Sequence, residues 1–221
     1  MQVSSTVILS CPMIKKELLS IMAEEKVSLP VYFLPAEMHN DMDKMRAFLQ
    51  SIIDSLAFVD RVIITASRCG NATVGLRATT AELLLPRGAD CIDLLLSERD
   101  LPSRVRPERA IFLTDSWVKS TADSEYSYEA LTARYGKATA AELLKTMYRD
   151  YRSYVFLDSG VYDVAALKHS MKAKAALLDM TMEQRPAPCA TLRKLVKGEI
   201  DDDFILVPKG GTVKESDFIA Y

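Results

Sequence analysis

Short, almost wholly apolar runs alternate along this chain with longer stretches whose apolar residues recur every three or four positions. The runs Thr6–Ser10, Val31–Leu34, Val62–Ala66, Ala110–Thr114 and Tyr154–Asp158 predict strands, with weaker ones near Ala89–Ile92, Met180–Arg185 and Phe204–Val207. Most lack the in-and-out alternation of a sheet with one wet face, so they read as parallel strands covered on both sides. Between them the period lengthens. Pro12 suits the first turn of a helix over Met13–Glu25. Asn40 is a candidate cap for a helix carrying Met45, Phe48, Leu49, Ile52, Ile53 and Leu56 on one face. Asn71 or Thr73 would cap a helix over Thr73–Leu85, ended by Pro86 and Gly88. Glu125–Tyr135, Thr139–Arg152 and Val164–Leu178 share the helical period.

Strand, helix, strand, helix in this order implies right-handed crossovers. The expected fold is α/β: a mostly parallel sheet flanked by helices on both faces, Rossmann-like and three-layered. Residues 1–221 read as one domain. Phe112-Leu113-Thr114-Asp115-Ser116 is echoed by Phe156-Leu157-Asp158-Ser159-Gly160, which allows two similar halves, about 1–108 and 109–221, without a flexible linker.

With 49% hydrophobic residues and a net charge of −2, the chain as a whole offers no electrostatic attraction to nucleic acid or an anionic membrane. Arg77, Arg87, Arg99, Arg104, Arg106 and Arg109 are close in sequence and read as a solvated face and loop. No run approaches the ~20 apolar residues that span a bilayer. Met1-Gln2-Val3-Ser4-Ser5 lacks a basic leader, so no export signal is expected. A cytoplasmic location follows, where cysteines serve as thiols or ligands rather than as a disulfide framework.

Cys11, Cys69 and Cys91 and His39 each stand where a predicted strand gives way to a helix or loop. The carboxyl ends of parallel strands form the ligand-binding edge of such a sheet. Thiols at helix N-termini are candidates for lowered pKa values, which singles out Cys11 and Cys69. Cys91 is open to two readings. If Ile92–Leu96 is a strand, Cys91 faces the wrong edge; if Ala89–Ile92 is a short strand and Asp93–Arg99 a helix, a reading that the capping candidates Asp90 and Asp93 favour, it joins the others. The bland alternative is that free cysteines act as small buried hydrophobes. No close C-x-x-C spacing is present to mark a metal knot. Asp115 and Asp158 end two strands, as catalytic carboxylates or as helix caps. Cys189 lies outside the pattern, and His169 sits within an amphipathic helix. Tyr135-Gly136-Lys137-Ala138-Thr139 lacks the upstream glycine of a phosphate loop and reads as a helix-to-helix junction. Neither G-x-S-x-G nor H-E-x-x-H occurs.

The order of landmarks adds what single motifs do not. A cysteine after the first strand is followed by Leu34-Pro35, Met38-His39-Asn40, Cys69-Gly70, Asp90-Cys91-Ile92, Leu113-Thr114-Asp115-Ser116-Trp117 and Tyr148-Arg149-Asp150-Tyr151. This succession, from about Thr6 to Phe218, resembles domain-of-unknown-function family 1638 of bacteria and archaea. The family pattern more often has a tyrosine and a small residue before the Cys-Gly pair, where this chain has Ala66-Ser67-Arg68. The resemblance implies that Cys11, His39, Cys69 and Cys91 act together and that a helix follows Cys91. It also implies a setting near corrinoid-dependent methyltransferases of anaerobic one-carbon metabolism.

Three expectations follow. The first is a metal-binding protein in which Cys11, Cys69 and Cys91 hold an iron–sulfur cluster with one open iron, or hold zinc with His39 as fourth ligand. Asp115 or Asp158 would then be acid–base groups and Tyr151 a donor, acting on a small-molecule substrate. The second is a non-catalytic module binding a corrinoid, a methyltransferase partner or a small ligand, although the D-x-H-x-x-G arrangement of corrinoid domains is missing. The third is a metal-free thiol enzyme using Cys69.

Overall fold

The computed structural model of the chain describes residues 5–101, 106, 109–122 and 124–219. They form two compact units, one drawn from residues 1–105 and 188–221, the other from 106–187. Arg104 lies outside the described residues. The remaining arginines of its sequence cluster divide between the units, and Arg87 is half-buried, donating to the carbonyls of Phe204 and Asp217.

The first unit is built on five strands: β1 (Thr6–Ser10), β2 (Val31–Phe33), β3 (Arg61–Ile64), β4 (Glu82–Pro86) and, at its far edge, the strand Phe204–Val207. Their spatial order is β2-β1-β3-β4 followed by that last strand, and the first four run parallel. The edge strand Phe204–Val207 pairs antiparallel with β4, Leu83 opposite Val207 and Leu85 opposite Ile205. An apolar run encodes burial but not direction, so the sequence pattern located this strand without orienting it.

Alternate residues of these strands point to opposite faces. Leu9, Val62, Ile64, Leu83 and Leu85 bury against Met45, Leu49 and Ile53 of α2 (Met42–Ser55). Each such side chain contributes about 1.5–3 kcal/mol when fully withdrawn from water. Ile8, Ile63 and Leu84, on the opposite parity, are also buried. The remaining helices of this unit, α1 (Lys15–Glu24), α3 (Cys91–Leu96) and the C-terminal helix Ala190–Lys197, pack on one another. Helices therefore cover a mostly parallel sheet, the α/β architecture that the strand–helix alternation predicts.

The helix expected over Thr73–Leu85 is not formed. Its second half is β4, and its first half runs through turns. The backbone explains why. Gly75 and Ala78 donate to the carbonyls of Val213 and Gly211, while Leu76 and Ala78 accept from Val213 and Gly210. Groups that a helix needs are spent on the C-terminal segment. The Thr79 and Thr80 hydroxyls bind Asp54 and the Ile53 carbonyl, tying the segment to α2. The cap of α2 is Asp41, accepting from the Lys44 N–H at 3.0 Å, rather than Asn40.

The second unit contains a parallel sheet of β5 (Ala110–Leu113), β6 (Ser153–Asp158) and β7 (Thr181–Pro186), with β6 in the middle. Helix α4 (Asp115–Ser120) follows β5. Then α5 (Tyr128–Tyr135) and α6 (Lys137–Met147) meet at Gly136, whose φ of 80° permits the sharp reversal. Helix α7 (Val164–Leu177) lays Val164, Leu167, Met171 and Ala175 against Leu113, Tyr154 and Phe156. The C-terminal helix and edge strand of the first unit complete the series as α8 and β8.

Candidate functional site

Parallel order places the carboxyl ends of β1, β2, β3 and β4 along one edge, and the four sequence candidates follow those ends. Cys11 succeeds β1 and opens a single 3-10 turn, Pro12–Ile14, that leads into α1. Its backbone N–H donates to Thr65 Oγ1 at 3.1 Å, and Thr65 Oγ1 donates to Ser10 Oγ, locking the ends of β1 and β3 together. His39 lies in the 3-10 segment Ala36–Asn40 after β2. Cys69 is in the loop after β3. Cys91 is the first residue of α3, capped by Asp90, whose side chain accepts from the Ile92 N–H at 2.9 Å. The Asp93 carboxylate accepts from the Ala89 N–H at 2.7 Å and fixes the approach to that helix. A helix is formed here, but it begins at Cys91 itself rather than at Asp93, and no strand runs over Ala89–Ile92; Cys91, following β4, shares the edge with the others.

These residues are in contact. Cys11 Sγ is 3.1 Å from His39 Nε2. His39 Nδ1 lies 3.2 Å from the Ala36 carbonyl, an acceptor only, so Nδ1 carries a proton and Nε2 faces the sulfur. Cys91 hydrogen-bonds with Cys11, and its own Sγ is 3.5 Å from Met13 Sδ. All four cysteines are free thiols, and Cys11 and Cys91 are fully buried.

One proton is easily lost from this group. The hydrogen bond from Cys91 pulls the Cys11 thiol down to about 5, against the opposing effect of burial and with further help from His39 and the Met13 N–H. The His39 imidazole is pushed down by burial, but its contact with the Cys11 thiolate dominates and leaves its pKa raised. Cys91 is pushed up, first by its bond to Cys11 and then by burial. Cys69 is also pushed up, by burial and by the negative charges of Cys11 and Asp90. Cys11, not Cys69, is the activated thiol: no helix starts after Cys69 to lower it, and desolvation of its sulfur beside negative charge raises it.

The Cys69 loop has an uncommon backbone. Cys69, Gly70 and Asn71 take φ values of 44°, 62° and 73°, three left-handed residues in succession, of which only the glycine is comfortable. Cross-bonds hold it: Arg68 and Cys69 N–H donate to the carbonyls of Gly88 and Ala89 at 3.2 and 2.8 Å, joining the loops that follow β3 and β4. Arg68 Nε reaches Asn71 Oδ1, and Arg46 Nη2 reaches the Asn71 carbonyl at 2.7 Å. Nothing in the residue pattern announces this turn beyond the Gly70 that permits it.

Tetrahedral zinc, with Zn–S bonds of about 2.3 Å, brings its sulfurs within about 4 Å of one another. The cysteine–histidine set has close pairs but no three ligand atoms all within 4.8 Å of one another, a condition met among the described residues by Asp100, Asp201 and Asp203. That acidic triad is already engaged: Lys194 Nζ lies 2.8, 2.7 and 3.1 Å from its three carboxylates.

The other candidates fall in the second unit and find local partners. Asp115 lies in the first turn of α4 and pairs with Lys119 Nζ at 3.2 Å. Asp158 ends β6, accepting from the Gly160 N–H at 3.1 Å and from Gln184 Nε2 at 2.9 Å. Tyr151 precedes β6, at the amino end of the strand that Asp158 closes, and its ring stands 6.3 Å from that of Tyr148. The three do not share an edge. Cys189 is buried in a left-handed conformation at the start of α8, with its thiol pushed up to about 12 by burial, and His169 is exposed on α7.

Fold and site together define an α/β protein with a buried thiol–imidazole cluster on the carboxyl edge of a mostly parallel sheet. The chain belongs to the family described as Protein of unknown function (DUF1638), whose model matches residues 33–196. That match includes His39, Cys69 and Cys91 and begins after Cys11, a shorter span than the landmarks from Thr6 to Phe218 suggest. No curated protein and no solved structure matches the chain. Among the described residues no helix is long and apolar enough to cross a membrane.

Proposed function

We propose that the chain is a metal-binding protein whose centre is held by Cys11, Cys69 and Cys91, with His39 available as fourth ligand. The observation that carries this reading is the gathering of three free thiols and an imidazole, from four separate segments, at one sheet edge. The donor set fits a borderline or soft metal. An iron–sulfur cluster is preferred to compact zinc because three cysteines widely separated in sequence, without a close C-x-x-C pair, suit a large cluster better than a zinc knot. A cluster held by three thiolates supplies one open iron as Lewis acid or electron carrier. The residues themselves supply a Cys11 thiol held well below its ordinary pKa and an imidazole, His39, whose Nε2 lies 3.1 Å from it. A cytoplasmic role in anaerobic one-carbon and methyl-transfer metabolism rests on the family resemblance, as does a methyltransferase or corrinoid protein as partner.

A second reading is favoured by the 3.1 Å Cys11–His39 contact: a metal-free thiol enzyme. Its nucleophile is then Cys11, since burial raises Cys69. Anaerobic purification with metal analysis and a visible spectrum separates the two. Stoichiometric iron or zinc, lost in Cys69→Ser, supports the centre. Metal-free protein inactivated by alkylation of Cys11 alone supports the nucleophile.

A further inference from the structure

Among the described residues, Cys69, Gly70 and Asn71 form the one run of successive left-handed positions, and strain of this kind persists only where the surroundings over-determine it. Two kinds of tie hold it. The Arg68 and Cys69 N–H groups donate to the carbonyls of Gly88 and Ala89 at 3.2 and 2.8 Å. The other ties come from two partly exposed arginines. Arg46 of α2 donates to the Asn71 carbonyl at 2.7 Å. Arg68 donates to Asn71 Oδ1 and also pairs with Glu215, in the 3-10 segment Glu215–Asp217. The side chains of Arg68 and Glu215 are 31% and 65% exposed, so water competes for this pairing.

The turn is anchored on both flanks of the Cys11–His39 contact. On one side it is bonded to Ala89, two residues before Cys91. On the other, a Cβ added at Gly70 would lie 3.3 Å from Met42 Sδ, and Met42 opens α2 three residues after His39. Cys69 is the half-buried cysteine of the four, whereas Cys11, Cys91 and Cys189 are buried. A buried thiol meets a dissolved molecule only when part of the fold opens, and segments tied through exposed groups open at least cost.

We propose that the 68–71 turn is a gate to the buried Cys11–His39 pair and that the Arg68–Glu215 pair is its latch. Loss of the Arg68 side chain releases Asn71 and Glu215 together and leaves the strained turn held by Arg46 and two backbone bonds. The turn then relaxes out of the left-handed region and opens the edge between Met42 and Ala89 to a small molecule. The gate serves the pair whether it holds a metal or acts as a nucleophile, so its test reads thiol accessibility and not activity.

Labelling of the reduced, metal-free full chain with iodoacetamide, followed thiol by thiol by peptide mass spectrometry, tests the gate. Arg68→Met, which keeps most of the side-chain length, is expected to speed labelling of both Cys69 and Cys11 about tenfold, the factor that loss of one or two charge-assisted hydrogen bonds produces. Cys189, buried at the start of α8, is the internal reference and should keep its wild-type rate. Glu215→Gln, which keeps the shape and removes the charge, is expected to give a smaller rise. High salt screens an exposed ion pair, so it should speed the wild type and leave Glu215→Gln unchanged. A wild-type rate at Cys11 in Arg68→Met overturns the gate, whether or not Cys69 is faster. An equal rise at Cys189 also overturns it, because that is general loosening of the fold. Neither result bears on metal content, which the reading above is tested by separately.

Discussion

The two units put similar residues at similar places with different results. In the second, Asp115 and Asp158 follow the carboxyl ends of β5 and β6, yet both bind groups close at hand: Lys119, the Gly160 N–H and, from the next strand, Gln184. In the first, Cys11, His39, Cys69 and Cys91 follow the ends of four strands and find one another across the chain. A strand-end position is therefore an opportunity and not a site. What separates the two is where the hydrogen bonds go. Carboxylates at helix starts are absorbed by nearby N–H groups and lysines, whereas thiols are weak caps and stay free for distant partners.

The comparison breaks most visibly under substitution of a thiol. Cys11→Ser, Cys69→Ser and Cys91→Ser should each lose most of the bound metal, measured per chain by elemental analysis, while Cys189→Ser retains it. Retention of full metal in Cys91→Ser would leave Cys91 a packing residue. Next in size is a pH effect confined to the first unit. The Cys11 thiol falls from an ordinary value of 9.0 to about 5 on folding. Its contribution to stability is then fully present above pH 9 and fades as pH falls toward 5, because the unfolded chain binds more protons in that window. His39 is raised above 6.5, so its contribution is full below that pH and is lost as pH rises through the folded value. In metal-free reduced protein, the gap in melting temperature between wild type and Cys11→Ala should shrink toward pH 5. The gap for His39→Asn should shrink toward high pH.

Much of the fold was legible, and the exceptions share a cause. Thr6–Ser10 and Phe204–Val207 match their strands residue for residue because short apolar runs bounded by polar residues have one good solution. Thr73–Leu85 misled because Leu83, Leu84 and Leu85 fit either period, and the deciding partner, the 210–213 segment, is distant in sequence. Three thiols and a histidine were visible as strand-end residues, but which thiol ionises was not: the contacts of Cys11 with His39 and Cys91 span 28 and 80 positions.

Smaller effects belong to the second unit. Asp163 caps α7, accepting from the Ala166 N–H at 3.0 Å. Asp163→Ala should cost about 1 kcal/mol in denaturant unfolding, typical of a lost cap, without altering metal content. Asp115→Asn and Asp158→Asn should cost less and likewise leave the metal in place. Loss of metal from either variant would contradict the division of labour between the units.

The most direct measurement is the metal content and visible spectrum of wild-type protein purified without oxygen, beside Cys69→Ser prepared in the same way. The account predicts stoichiometric metal in the wild type, a brown cluster absorbance with iron and sulfide, and loss of both in the variant. A colourless, correctly folded wild-type protein with no stoichiometric metal would contradict it.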